Sequence, residues 1–282
     1  MKSLKIKNLM REWQQRRAPV MTERTRATNV APVNVICDLI GEKHADQLTL
    51  KRVETFRNEL LNRGMSKLTA ARYLSTLRAG LGEHGEHLKI GQLIAELKRG
   101  PNKVECWTKN EALYIIDFAT SIFEGTSFPI FVKLLFATGS RRGEALALHR
   151  EDIDLERMRI HFHRCLTLDG GIQNGTKWGG ERWCPLSKRL GKTIDSCAAE
   201  SGLLFWDLDQ RNVGRQFKRA VKKAGAPQHK LHCTRHSAIS WALTAGMSLR
   251  KASEIFGVSQ QTLEKHYAHF VDEKVNMDWA EL

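Results

Sequence analysis

The chain has 282 residues, 41% hydrophobic and 27% charged, long enough to bury one large core or two modest ones. That balance excludes a mainly disordered chain. The richest apolar run, Phe128 to Ala137, is broken by Pro129 and Lys133, so no stretch reaches the roughly 20 apolar residues of a membrane span. Residues 1–17 lack an apolar signal core, so a secreted or membrane location is not expected. The net charge is +14, and residues 1–100 carry 19 basic against 10 acidic side chains. A surface of that sign attracts polyanions, nucleic acid before anionic lipid, although a solvated basic face with no partner has the same composition. The six cysteines form no CxxC and pair with no histidine at zinc-ligand spacing, so reduced thiols are expected, several of them in the core, and a structural metal is not.

Along the chain, Lys2 to Arg17 reads as either a short DNA-contacting helix or a disordered extension. Residues 30–99 read as helices. One ends at Gly41. The next opens with Thr49 and closes at Gly64, and Ser66 caps the segment after it. Lys51, Arg52, Arg57, Arg63, Lys67, Arg72 and Arg78 recur through these helices. They are either ordinary exposed positions or a grip on a phosphate backbone. Gly100, Pro101 and Asn102 form turn chemistry, which places a linker over 101–107. Thr108 and Glu111 have capping-box spacing. Pro129 suits a helix start and Gly139 its stop, and residues 140–149 read as the next helix. Met158, Ile160 and Phe162 alternate as a strand, and residues 175–186 read as a hairpin turning at Gly179-Gly180. Helical spacing returns from Arg211 to Ala224 and continues beyond. The expected fold is mainly α with a small antiparallel β-sheet.

Taken singly, Arg141, Lys177, His232, Arg235 and Tyr267 are unremarkable: a surface arginine, a solvated lysine, a local pair and a core tyrosine. Their order and setting are not. Arg141 lies at a helix boundary in ATGSRRGEALAL, Lys177 in the hairpin TKWGGERWCPL, and His232-x-x-Arg235 and Tyr267 in the helical C-terminal stretch. This constellation resembles the tyrosine recombinase (phage integrase) family, strongly over residues 108–270 and weakly over 30–99.

The resemblance implies a two-domain, C-shaped DNA clamp. Residues 1–100 would be a helical core-binding domain using Lys51, Arg52, Arg57, Lys67, Arg72 and Arg78. Residues 108–282 would be the catalytic domain, its tail docking on a neighbouring protomer. It implies a site-specific recombinase that works through a 3′-phosphotyrosyl intermediate and a Holliday junction. Tyr267 would be the nucleophile, and Arg141 and Arg235 would fork onto the phosphate oxygens, where guanidiniums offset developing charge. Glu144, one helical turn from Arg141, would orient its guanidinium. Lys177 would protonate the leaving 5′ oxygen, His232 would contact the phosphate or assist proton transfer, and His236 would support them. No metal or cofactor is implied.

The implied partners are double-stranded DNA sites, a homo-tetramer that pairs two of them, and a possible DNA-bending or directionality protein; the implied location is the cytoplasm of a bacterium or of a mobile element's host. One position departs from the pattern: nine residues before the tyrosine, where the family usually has His or Trp, stands Val258. Losing one phosphate donor costs about 2.7–4 kcal/mol of transition-state stabilisation, which would slow the enzyme rather than abolish it. Tyr73 and Tyr114, the other two tyrosines, sit on apolar helical patterns and read as core. A topoisomerase-like enzyme acting as a monomer and a non-catalytic DNA-binding regulator are the other readings open at this level.

Overall fold

A computed structural model describes residues 4–97, 104–167, 170–175, 180–197 and 202–271. Lys177, Gly179, residues 98–103 and the segment after Val271 lie outside them, and with these the general-acid assignment, most of the expected linker turn and the docking tail. The chain divides into two compact units, Met1–Pro101 and Asn102–Leu282. Among the described residues no helix is long and apolar enough to cross a membrane.

The first unit is helical: α1 (Ile6–Arg17), α2 (Glu23–Ile40), α3 (Leu50–Asn62), α4 (Lys67–Leu81) and α5 (Ile90–Leu97). The caps form where side chains can reach orphan amides. Thr49 Oγ1 accepts from the Arg52 amide and Ser66 Oγ from the Thr69 amide. Helix α4 packs against α1, α2 and α5. Ile36, Phe56, Leu60, Leu74 and Leu77 make a core with Ile6, Met10 and Trp13, so α1 belongs to the unit and is not an extension. Gly41 ends α2 with φ −62°, an ordinary right-handed value rather than a left-handed cap, and α2 begins earlier than its apolar pattern suggests and runs through Pro32.

The second unit contains α6 (Lys109–Ile122), α7 (Phe128–Thr138), α8 (Arg142–Leu146), β1 (Ile153–Asp154), β2 (Arg159–Phe162), β3 (Arg164–Leu166), β4 (Ile172–Asn174), β5 (Arg182–Pro185), α9 (Lys188–Cys197), α10 (Val213–Lys223), α11 (Cys233–Thr244), α12 (Leu249–Phe256) and α13 (Gln260–Tyr267). The Thr108–Glu111 capping box closes as expected. Trp107 anchors the core. Its amide donates to Ser237 Oγ (2.8 Å), its Nε1 donates to the Pro227 carbonyl (2.9 Å), and its carbonyl accepts from Trp241 Nε1 (2.9 Å). Because Ser237 and Trp241 lie on α11, these bonds hold that helix against a core of Phe128, Phe131, Phe136, Phe162 and Phe217. Each such buried ring contributes about 1.5–3 kcal/mol of transfer free energy.

The turn of the hairpin expected over residues 175–186 lies outside the described residues, and two other expectations are corrected. Strand β4 pairs with β3, while β5 pairs with β2, opposing Ile160 to Cys184 and Phe162 to Arg182. Arg182 and Cys184 point inward in alternation, so the strand closes a three-stranded sheet in the order β1-β2-β5, beside the two-stranded β3-β4. The helix after Gly139 is only five residues long. Tyr114 is 60% exposed, because α6 turns Ala112, Ile115 and Ala119 inward and leaves Tyr114 on the other side; Tyr73 is buried as expected. Of the cysteines whose side chains are described, Cys184 and Cys233 are buried.

Candidate active site

Three guanidiniums converge on the C-terminal end of α12. Helix ends leave carbonyls unsatisfied, and the macrodipole makes that end favour cations. Here Arg182 Nε donates to the Ile255 carbonyl (3.0 Å), and Arg235 Nη2 donates to Phe256. Both Arg141 and Arg235 donate through Nη2 to the Gly257 carbonyl, each at 3.2 Å. Gly257 makes this possible by adopting φ +58°, the left-handed region glycine enters freely. Arg235 also donates through Nη1 to Gly139 (2.9 Å), whose φ of +59° ends α7. A Cβ on Gly139 would lie 2.8 Å from the Phe256 ring, so that turn too admits only glycine without a shift.

Glu144, 1% exposed, ties two of the arginines together. Its Oε1 accepts from Arg141 Nη1 (2.7 Å) and its Oε2 from Arg182 Nη2 (2.6 Å). Oε2 also accepts from the Arg141 amide at the start of α8 (3.0 Å), so one carboxylate caps a helix and orients two guanidiniums. Burial disfavours its charge, but Arg182 and Arg141 outweigh that and hold its pKa below the usual carboxylate value. Arg182 carries no expected role in the sequence. The available signal was its period-two position with Cys184, which turns a charged residue inward. It lies 4.7 Å over the Phe162 ring.

Arg235 is 3% exposed. Burial first, and the neighbouring Arg141 charge next, pull its pKa down to about 9, which still leaves it charged at neutral pH. Three guanidiniums against one carboxylate leave a formal +2 at the centre, and an entering phosphate would relieve that repulsion.

Tyr267 ends α13. Leu263 and Tyr267 form the inner face of that helix, while Glu264 and Lys265 face solvent, so the ring is 4% exposed despite its polar neighbours in sequence. Its hydroxyl is hydrogen-bonded to His236 Nδ1. Burial pushes the phenol up to about 12, and the Arg235 charge acts against that rise. His232 is exposed at the start of α11, with its ring 5.1 Å from that of His236. Val258 follows Gly257 and packs, partly buried, on the core, with no group that could donate a hydrogen bond. Thus Arg141, Glu144, Arg235, His232, His236 and Tyr267 share one region, and Arg182 joins them. Among the described residues no group of three or more His, Cys, Asp or Glu side chains could hold a metal ion.

Residues 106–274 match the model of the Phage integrase family. The chain belongs to that family. It is therefore a tyrosine recombinase, of the class of enzymes that cleave and rejoin DNA in site-specific recombination. Among its relatives, tyrosine recombinase XerC of Corynebacterium glutamicum is 23% identical over 259 residues, which cover 82% of this chain and 77% of that protein. Its fold is that of the Tn1549 transposon integrase solved with a circular intermediate DNA, with a TM-score of 0.80 at 17% identity over 99% of this chain and 100% of that one. The lambda integrase tetramer bound to a Holliday junction has a TM-score of 0.69 at 18% identity, over 92% of this chain and 79% of that one.

The arginines and lysines expected to grip DNA outside this region lie on the first unit. Lys51 and Lys67 are exposed in the first turns of α3 and α4. Arg52 donates to the Gln47 carbonyl (2.6 Å) and Arg72 to that of Thr28. Arg57 is half-buried and paired with Glu96 at 3.2 Å, and Arg78 is exposed.

Proposed function

We propose that this recombinase exchanges DNA strands through a 3′-phosphotyrosyl intermediate formed on Tyr267. The arrangement of Arg141 and Arg235 around one helix end, with Tyr267 in the field of Arg235, carries this reading. A phosphodiester resists nucleophiles because its oxygens are anionic. Arg141 and Arg235 would bind its non-bridging oxygens and stabilise the charge that grows on them during attack. Glu144 would hold Arg141, and the Gly139, Phe256 and Gly257 carbonyls Arg235, in place before the substrate arrives. The phenolic oxygen then bonds to phosphorus and the 5′ oxygen leaves, protonated by Lys177. The ester energy is kept in the new bond, so a 5′ hydroxyl from another strand can reverse the step without ATP. Val258 removes one possible phosphate donor, and we expect a slower enzyme, with turnover retained.

The lambda integrase tetramer seated on a Holliday junction supports extending this to four protomers that pair two duplexes. The first unit would supply phosphate contacts through Lys51, Arg52, Arg57, Lys67, Arg72 and Arg78, and the segment after Val271 would link protomers. A duplex nicked near the cleavage point, which loses the short fragment bearing the new 5′ hydroxyl and so traps the intermediate, tests the chemistry. Wild type should accumulate a covalent protein–DNA adduct. Tyr267→Phe should bind the same duplex equally and form none. A Tyr267→Phe variant that still formed the adduct would refute the assignment.

A further inference from the structure

Tyr267 and His236 lie 31 residues apart in sequence on different helices, and the hydroxyl of one meets Nδ1 of the other. Their ring centroids lie 5.8 Å apart. A phenol whose pKa is near 12 keeps its proton at neutral pH and is then a weak nucleophile, so strand cleavage needs a group to take that proton. A neutral imidazole has one ring nitrogen able to accept it. His232, the histidine of the His-x-x-Arg pair, is exposed at the start of α11, whereas His236, one turn further along that helix, holds the hydroxyl.

We infer that His236 is the general base of strand cleavage, its Nδ1 receiving the phenolic proton of Tyr267 as the oxygen–phosphorus bond forms. This rests on the reading of Tyr267 as nucleophile. The tyrosine O–H bond breaks, the oxygen–phosphorus bond forms, the phosphorus–5′-oxygen bond breaks, and the departing oxygen takes a separate proton from Lys177. In the reverse step the imidazolium returns its proton to the tyrosine oxygen as that oxygen leaves.

The surroundings keep His236 neutral and ready to accept. His232 and Arg235 face it from its own helix, Tyr267 and His266 from α13, and Glu105 from the segment before α6. Burial and the charges of Arg235 and His266 lower its pKa below the ordinary histidine value, and Glu105 opposes them only partly. A purely structural role would use the same bond to satisfy a buried hydroxyl and pin α13 to α11. Asparagine separates the two roles. Its amide oxygen reaches the place of Nδ1 and accepts a hydrogen bond, but it does not take a proton.

Single-turnover adduct formation on the nicked duplex, followed from about pH 5 to 9, tests the inference. Replacing the 5′ bridging oxygen with sulfur supplies a leaving group that needs no acid. The wild-type rate should rise with pH through an acidic limb centred below the free-histidine pKa of about 6.5. His236→Asn should bind DNA normally, lose that limb and cleave about 10²–10⁴-fold more slowly. The sulfur substrate should rescue Lys177→Ala and leave His236→Asn slow. Cleavage by His236→Asn within about threefold of wild type, with the acidic limb intact, would overturn the inference. If His236→Asn fails to bind DNA, the wild-type profile decides alone, and a rate flat below pH 6.5 overturns it. Adduct formation by Tyr267→Phe would instead bring down the underlying nucleophile assignment.

Discussion

Glu144 shows how one residue can serve both stability and chemistry. It is buried between Arg141 and Arg182, and removing it strands two guanidiniums without a counter-charge. Breaking a buried pair from one side costs about 3–5 kcal/mol, so Glu144→Ala should lower the free energy of unfolding by that amount at neutral pH. The folded-state pKa is depressed below 4.5, so this stabilisation is complete above that value. It is lost as pH falls through the folded-state value, where wild type must protonate the same carboxylate. Urea unfolding of wild type and Glu144→Ala should therefore show a gap that is widest near pH 7 and narrows in acid. A gap constant with pH would mean that the carboxylate's charge is not what holds the arginines.

At the level of elements, the end of α12 is a turn that places two catalytic candidates. Gly257 and Gly246 both adopt left-handed φ, +58° and +88°, just after helices. A side chain at either costs about 1–2 kcal/mol of backbone strain. At Gly246 an added Cβ meets nothing within 4 Å, whereas at Gly257 it would come within 3.2 Å of the Arg182 side chain, and its carbonyl holds Arg141 and Arg235. Gly246→Ala should thus lower stability alone. Gly257→Ala should lower stability by at least as much and also reduce the cleavage rate at least tenfold at saturating DNA; equal cleavage rates for the two variants would contradict the capping role. The helix caps at Thr49, Ser66 and Thr108 were legible in the sequence because donor and acceptor lie within one turn. The pairing of β5 with β2 was not, since it goes with burial of Arg182 and Cys184 against a core that the local sequence does not show. Arg182 escaped notice for the same reason: its partner Glu144 is 38 residues away. Tyr267, Arg141, His232 and Arg235 stand out as candidates in the sequence only through family resemblance, since their spacing alone does not separate them from surface and core residues. The contact of His236 with Tyr267 became visible only once α11 and α13 packed together.

For the whole molecule, charge is the dominant property: +14 overall, with the larger surplus in residues 1–100. Binding to duplex DNA should weaken steeply with salt, the logarithmic slope falling by about 0.9 for each phosphate contact removed. Lys51→Ala and Lys67→Ala should each reduce the slope by about that amount. Arg57→Ala should reduce it less, because Glu96 already neutralises that side chain. Slopes unchanged in both lysine variants would remove α3 and α4 from the DNA-contacting surface. The account as a whole stands on where DNA becomes attached. Trapping the covalent complex, digesting it with trypsin and identifying the DNA-bearing peptide should find the nucleotide on residues 266–274, at Tyr267, linked through a 3′ phosphate. Attachment at Tyr73, Tyr114 or a serine, or a link to a 5′ phosphate, would contradict it.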